Sequence, residues 1–112
     1  MISKDLVAAS AKPLILSILS RQETYGYEII KNVKDMSGGK IEWTDGMLYP
    51  VLHRLEDQKL ISSKWVKGEN GRKRKYYFIE KEGSKVLAEE KKQWEVTVST
   101  LNKVWGGEPC II

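Results

Sequence analysis

Apolar positions recur with a helical period in four stretches of this chain and with a strand-like character in one. Residues 5 to 20, DLVAASAKPLILSILS, carry Leu14, Ile15, Leu16, Ile18 and Leu19 in so dense a run that the helix they predict must be nearly enclosed. Ile29, Ile30 and Val33 give a second helix, from about Tyr25 to Met36, its buried stripe. Leu48, Val51, Leu52 and Leu55, spaced i, i+3, i+4 and i+7, make one face of a third helix over 44 to 58 apolar and leave the other free. From Lys81 to Trp105 the positions of Leu87, Lys91, Trp94, Val98, Leu101 and Trp105 alternate four and three apart, a short coiled-coil seam with one polar interruption. Periodicity alone does not decide whether that seam meets its own domain or a partner helix.

Local signals place the boundaries. Pro13 is either tolerated near a helix start or kinks the first helix. Thr24 and Thr44 are candidate N-caps, and Gly38-Gly39 is a stop. Lys40 to Trp43 leaves room for only a short extended segment. Pro50 removes one backbone hydrogen bond and crowds the carbonyl of Gly46, so a slight bend is expected, eased by the glycine. After the third helix, SSKWV and KYYFI read as two short strands around KGENGRKR, with Asn70-Gly71 as the turn. The expected fold is mainly α with a small β-hairpin: a winged helix-turn-helix followed by a long C-terminal helix.

Charge sharpens this picture. Residues 62 to 81 hold Lys64, Lys67, Arg72, Lys73, Arg74, Lys75 and Lys81 against only Glu69 and Glu80, a surplus larger than the whole chain's net charge of +4. A lysine-rich loop by itself is ordinary solvated surface. Directly after an amphipathic helix with a free face, it suits an element that meets phosphate. Gly46 brings bare backbone to the N-terminus of the third helix, where N–H groups and the helix dipole favour an anion.

At 112 residues and 41% apolar content only one modest core can form, which makes pairing with a second copy a natural way to bury more apolar area. No apolar run nears the roughly 20 residues of a membrane span and no signal-peptide pattern opens the chain, so a cytoplasmic protein without membrane contact is expected. The single cysteine, Cys110, cannot form an internal disulfide. His53 is the only histidine, and nucleophile-elbow, phosphate-loop and paired-cysteine motifs are missing, so no enzyme, cofactor or metal is expected.

GMLYPVLHRLEDQKLI resembles the recognition-helix signature of the PadR family of transcriptional regulators, and TYGYEII resembles the motif that precedes it. The likeness spans essentially the whole chain, and the single terminal helix is similar to the short subfamily. What it implies is a homodimeric winged-helix repressor of double-stranded DNA, with a DNA-binding domain over 1–80, a dimerisation helix over 81–106 and a flexible tail over 107–112. The first and last helices would make the dimer, and the operator would be pseudo-palindromic. The residues expected at DNA are Thr44, Asp45, Gly46, Tyr49, Pro50 and His53 of the third helix, with Lys64, Lys67, Arg72, Lys73, Arg74 and Lys75 of the wing. Tyr49, within LYP, leads this set, and its plain alternative is a tyrosine packed on the neighbouring helix. Strand alternation sends Arg72 and Arg74 to one side and Lys73 and Lys75 to the other. The competing function is a winged-helix protein-interaction module, against which the hairpin charge argues.

Trp94, by its place after Gly83, is similar to a tryptophan of multidrug-responsive members that faces an apolar pore at the dimer centre. Two such indoles would sandwich a planar aromatic effector. Val98 stands where those members carry an acidic residue, which weakens the case for a cationic ligand and keeps a closed, dry interface as the other reading. Trp43, Trp65 and Trp105 are expected to be packing residues.

Overall fold

The computed structural model describes residues 2–106, so the tail over 107–112, with Cys110, lies outside the described residues. Helix α1 (Lys4–Arg21) opens at Ser3, whose hydroxyl accepts from the Leu6 N–H at 3.2 Å. It runs unbroken through Pro13, which sits in the helix interior rather than near its start. Ala11, Ile15, Leu16, Ile18 and Leu19 are all buried, as the dense apolar run requires.

Thr24 is not an N-cap. With Tyr25 it forms a short strand, β1 (Thr24–Tyr25), and α2 (Gly26–Met36) starts after Tyr25 without any side-chain cap. The glycine stop holds: the Gly38 N–H donates to the Asp35 carbonyl at 3.1 Å and the Gly39 N–H to the Lys34 carbonyl at 2.8 Å, with Gly38 at φ 66°. Lys40 to Trp43 forms no strand, and Trp43 is buried in the core.

Thr44 does cap α3 (Asp45–Asp57), its Oγ1 accepting from the Met47 N–H at 3.3 Å. The helix passes through Pro50 and closes with Lys59 in the left-handed region, φ 65°. There the Lys59 N–H donates to Glu56 and the Leu60 N–H to Leu55, both at 3.0 Å, the same closure that α2 makes with glycine. Leu48, Leu52 and Leu55 are buried and Val51 is half-buried, the face that the spacing marked out.

Strands β2 (Ile61–Lys67) and β3 (Lys73–Ile79) form the antiparallel hairpin, and β1 adds on the far side of β3, giving the order β1-β3-β2. Tyr77 is the centre of the ladder, paired with Thr24 on one side and Ser63 on the other. At the tip Gly71 takes φ 79°, the Gly71 N–H donates to the Gly68 carbonyl at 3.0 Å, and Asn70 Oδ1 accepts from the Arg72 N–H at 3.1 Å. The Asn-Gly turn is therefore used as its residue types suggest, by a side chain that mimics a backbone acceptor and a glycine free of the Cβ penalty.

Helix α4 (Lys81–Trp105) leaves from the root of the wing. The Glu80 N–H donates to the Leu60 carbonyl at 2.9 Å, and Gly83 lies so close to that same carbonyl that a Cβ would overlap it and come 2.8 Å from Ile79 Cγ1. Of α4 only Gly83 and Leu87 are buried. Val98, Leu101 and Trp105 of the seam are exposed on the single chain, and Trp105, at 73% exposure, is no core residue. The radius of gyration of 16.0 Å exceeds the roughly 13 Å of a compact domain of this length, the mark of a helix that projects beyond its own core.

Candidate nucleic-acid interface

The interface begins with the sheet register. Tyr77 and Ser63 face α3, where the Ser63 hydroxyl donates to Glu56 Oε2 at 2.6 Å and anchors the wing root. Alternation then puts Trp65, Lys67, Lys73 and Lys75 on that same face, with Lys75 opposite Trp65 and Lys73 opposite Lys67. Arg74 falls on the other face and stacks its guanidinium over the Tyr25 ring at 4.5 Å, which holds it beside the N-terminus of α2. Arg72 lies in the turn ahead of the strand, exposed at the wing tip.

Between α2, the outer side of α3 and this hairpin runs a cleft of about 530 Å³ that brings together Tyr49, His53, Lys73, Arg74 and Lys75 with Tyr25, Tyr27 and Trp65. No carboxylate is among its lining residues. Thr44, Asp45, Gly46 and Pro50 are exposed on the first turns of α3 but outside the cleft, and Lys67 and Arg72 continue the basic surface toward the tip. Lys64 stands apart from them: it ion-pairs with Glu23 at 3.1 Å and lies over the Phe78 ring, on the opposite face of the sheet.

Tyr49 is packed on the neighbouring helix and yet partly open. Its ring packs against Gly26 at the start of α2, and 37% of the residue remains open to solvent. Tyr77 behind it is buried, and burial pushes its hydroxyl up to about 12, with the charges of Tyr49 and Glu56 acting in the same direction. The neutral phenol is thus the form that supports the wing root.

Two aromatic residues of the cleft escape the reading of the sequence. Tyr27 is exposed at the first turn of α2, within the TYGYEII motif. Trp65, expected to pack, is 66% exposed. Strand alternation relative to Tyr77 could have put Trp65 on the α3 side, but not told that it stands at the open cleft, where α3 leaves most of it uncovered.

Away from the wing, a groove of about 450 Å³ runs along α1 and α4, lined by Leu6, Pro13, Leu14, Ile41 and Trp94 among others, with Lys91 the only charged side chain among the described residues that line it. Trp94 lines it and Val98 does not. Among the described residues no cluster of His, Cys, Asp and Glu could hold a metal ion, and no helix is long and apolar enough to cross a membrane.

Three helices, a capped third helix with an open outer side, and a basic antiparallel hairpin beside it define a winged helix-turn-helix protein. The profile of the transcriptional regulator PadR-like family matches residues 15–89, and the chain belongs to that family of DNA-binding regulators. It is similar to a PadR-like transcriptional regulator of Bacillus cereus, 31% identical, with a TM-score of 0.82 over 94% of this chain and 100% of that one. A transcriptional regulator from Clostridium thermocellum is 33% identical, with a TM-score of 0.81 over 89% of this chain and 97% of the other. The transcriptional regulator YqjI of Escherichia coli is 35% identical over 83 residues, which span 74% of this chain but 38% of that protein. These relatives are regulators rather than enzymes.

Proposed function

We propose that the chain is a homodimeric repressor whose α3 enters the major groove of a pseudo-palindromic operator while the wing lies along the flanking backbone. The observation that carries this reading is the cleft in which Tyr49 and His53 of α3 face Lys73, Arg74 and Lys75 with no carboxylate among them. Such a concentration of cations without a carboxylate suits a polyanion, and its aromatic rings suit the sugar and base faces of a nucleic acid. Thr44, Gly46, Tyr49, Pro50 and His53 act at the groove, and Lys67, Arg72, Lys73, Arg74 and Lys75 neutralise phosphates. Asp45 repels phosphate, so its place is opposite a base donor such as the cytosine amino group. Lys64, engaged by Glu23, contributes general field rather than a contact.

The groove on α1 and α4 and the exposed apolar seam of α4 support pairing through those two helices. A planar aromatic effector that fills the groove beside Trp94 would alter the separation of the two α3 helices. Lys91 in its lining favours a neutral or anionic molecule over a cation. A regulator of this kind works in the compartment that holds the DNA, the cytoplasm of a cell without a nucleus.

Fluorescence anisotropy with labelled duplex DNA tests the reading. Binding should weaken steeply with added salt, and both Tyr49→Ala and a double Arg72/Arg74→Ala change should lower affinity. Unaltered affinity in both variants, on every duplex tried, would show that the binding face has been misplaced.

A further inference from the structure

We propose that Trp65 is a DNA-contacting residue of the wing, its indole laid on the deoxyribose–phosphate backbone beside the groove that α3 enters. The proposal rests on the DNA-binding reading above and adds to it a residue that carries no charge. Trp65, 66% exposed in the middle of a β-strand, lines the same cleft as Tyr27, 67% exposed, and two large rings left open in one cleft mark a surface that meets something outside the protomer. A second copy docked on the α1–α4 groove does not meet it, because no wing residue lines that groove.

The surroundings of Trp65 select the cover. Lys75 is its direct partner across the hairpin, and Lys67 and Lys73 follow on the same face toward the tip. Trp65 also lines the cleft that holds Tyr49 and His53 and that contains no carboxylate. A duplex backbone offers what this strip needs: phosphates for the lysines, an apolar deoxyribose face for the ring, and phosphate oxygens for an Nε1–H that can only donate. The contact is therefore one of grip and register, and it should not depend on base sequence.

Binding is measured for the full chain on two duplexes of about 20 base pairs, one of random sequence and one that the wild-type protein selects from a random library, each over a range of salt. Trp65→Ala should lower affinity about tenfold on both duplexes while leaving the log–log salt slope unchanged, whereas Lys75→Ala should flatten that slope by about one charge. Trp65→Phe, which keeps a ring but not the donor, should recover part of the loss. The melting temperature of Trp65→Ala should match wild type, since the side chain is mostly in water. Unaltered affinity, a loss confined to the selected duplex, or a loss that tracks a lowered melting temperature would each overturn the proposal while leaving the DNA-binding reading intact. Absence of salt-dependent binding by the wild-type chain would overturn both.

Discussion

A Cβ placed on Gly26 would come 2.9 Å from Cζ of Tyr49 and nearer still to its hydroxyl, so the first residue of α2 is the surface on which the Tyr49 ring rests. That residue must be glycine for Tyr49 to lie where it does. The ring is the far end of a partly exposed side chain, so in Gly26→Ala the tyrosine gives way before the helix does. The stability cost should be about 1 kcal/mol, at the low end of overpacking. The functional cost should be larger: DNA affinity should fall toward that of Tyr49→Ala, and the double variant should bind no worse than Tyr49→Ala alone, because both changes remove the same placement. A double-mutant cycle by anisotropy measures this, and additive losses would separate the two residues.

Gly46 makes the opposite case. A Cβ there would meet nothing nearer than Thr44 Oγ1, at 3.9 Å, so neither packing nor backbone conformation within the chain asks for a glycine. Its cost to the helix is real, and Gly46→Ala should raise stability by about 0.5–1 kcal/mol in denaturant titration. If the bare backbone serves close approach of DNA, the same change should weaken binding about tenfold. A variant that is both more stable and equally tight would show that neither DNA nor the passage through Pro50 needs the glycine.

The contrast between these glycines bears on what could be read from sequence. Elements carried by local periodicity and caps were legible: α3 with Thr44 at its start, α2 with its Gly38-Gly39 stop, and the hairpin around Asn70-Gly71. Thr24 was misjudged because its partner, Tyr77, is remote in the chain, and a two-residue strand has no periodicity to announce it. Trp65 and Trp43 look alike in sequence, each preceded by a charged residue and followed by a β-branched one (Glu42-Trp43-Thr44 and Lys64-Trp65-Val66). They differ because β2 loses its cover along its length, from buried Ile61 through half-buried Ser63 to exposed Trp65 and Lys67, as the strand outruns α3. Which cations converge was likewise a matter of pairing: Lys64 has a carboxylate neighbour in Glu23 that only the packed sheet reveals.

Tyr77 gives the wing root a dependence on alkaline pH. Its ionisation is raised from 10.0 to about 12 in the folded chain by burial, with Tyr49 and Glu56 adding to it. A raised folded-state value means that the unfolded chain releases the proton first, so the stabilisation is whole below about pH 10 and is lost as pH rises toward 12. Chemical denaturation of wild type should therefore decline more steeply over that window than denaturation of Tyr77→Phe, whose ring keeps the packing and cannot ionise. Parallel curves would mean that Tyr77 titrates as freely as in the unfolded chain.

The seam of α4 makes the last and most demanding expectation, because it links assembly to DNA. Leu101 is 39% exposed on the single chain and falls in the line of Trp94, Val98 and Trp105, whereas Val96, 67% exposed, is two residues from Trp94 and so lies on the far side of the helix. If the second copy covers the seam, Leu101→Lys buries an unpaired charge and should yield a monomer in sedimentation experiments, while Val96→Lys should leave the dimer unchanged. The monomer keeps its α3 and wing, so its contacts with one half-site survive. What it loses is the second half-site as an intramolecular event, worth on the order of 100-fold or more in affinity for a palindrome. Leu101→Lys should thus bind a palindrome and a single half-site almost equally, and Val96→Lys should keep the wild-type preference for the palindrome. Were both variants to remain dimeric with that preference unaltered, the pairing surface would have to lie elsewhere than the α4 seam.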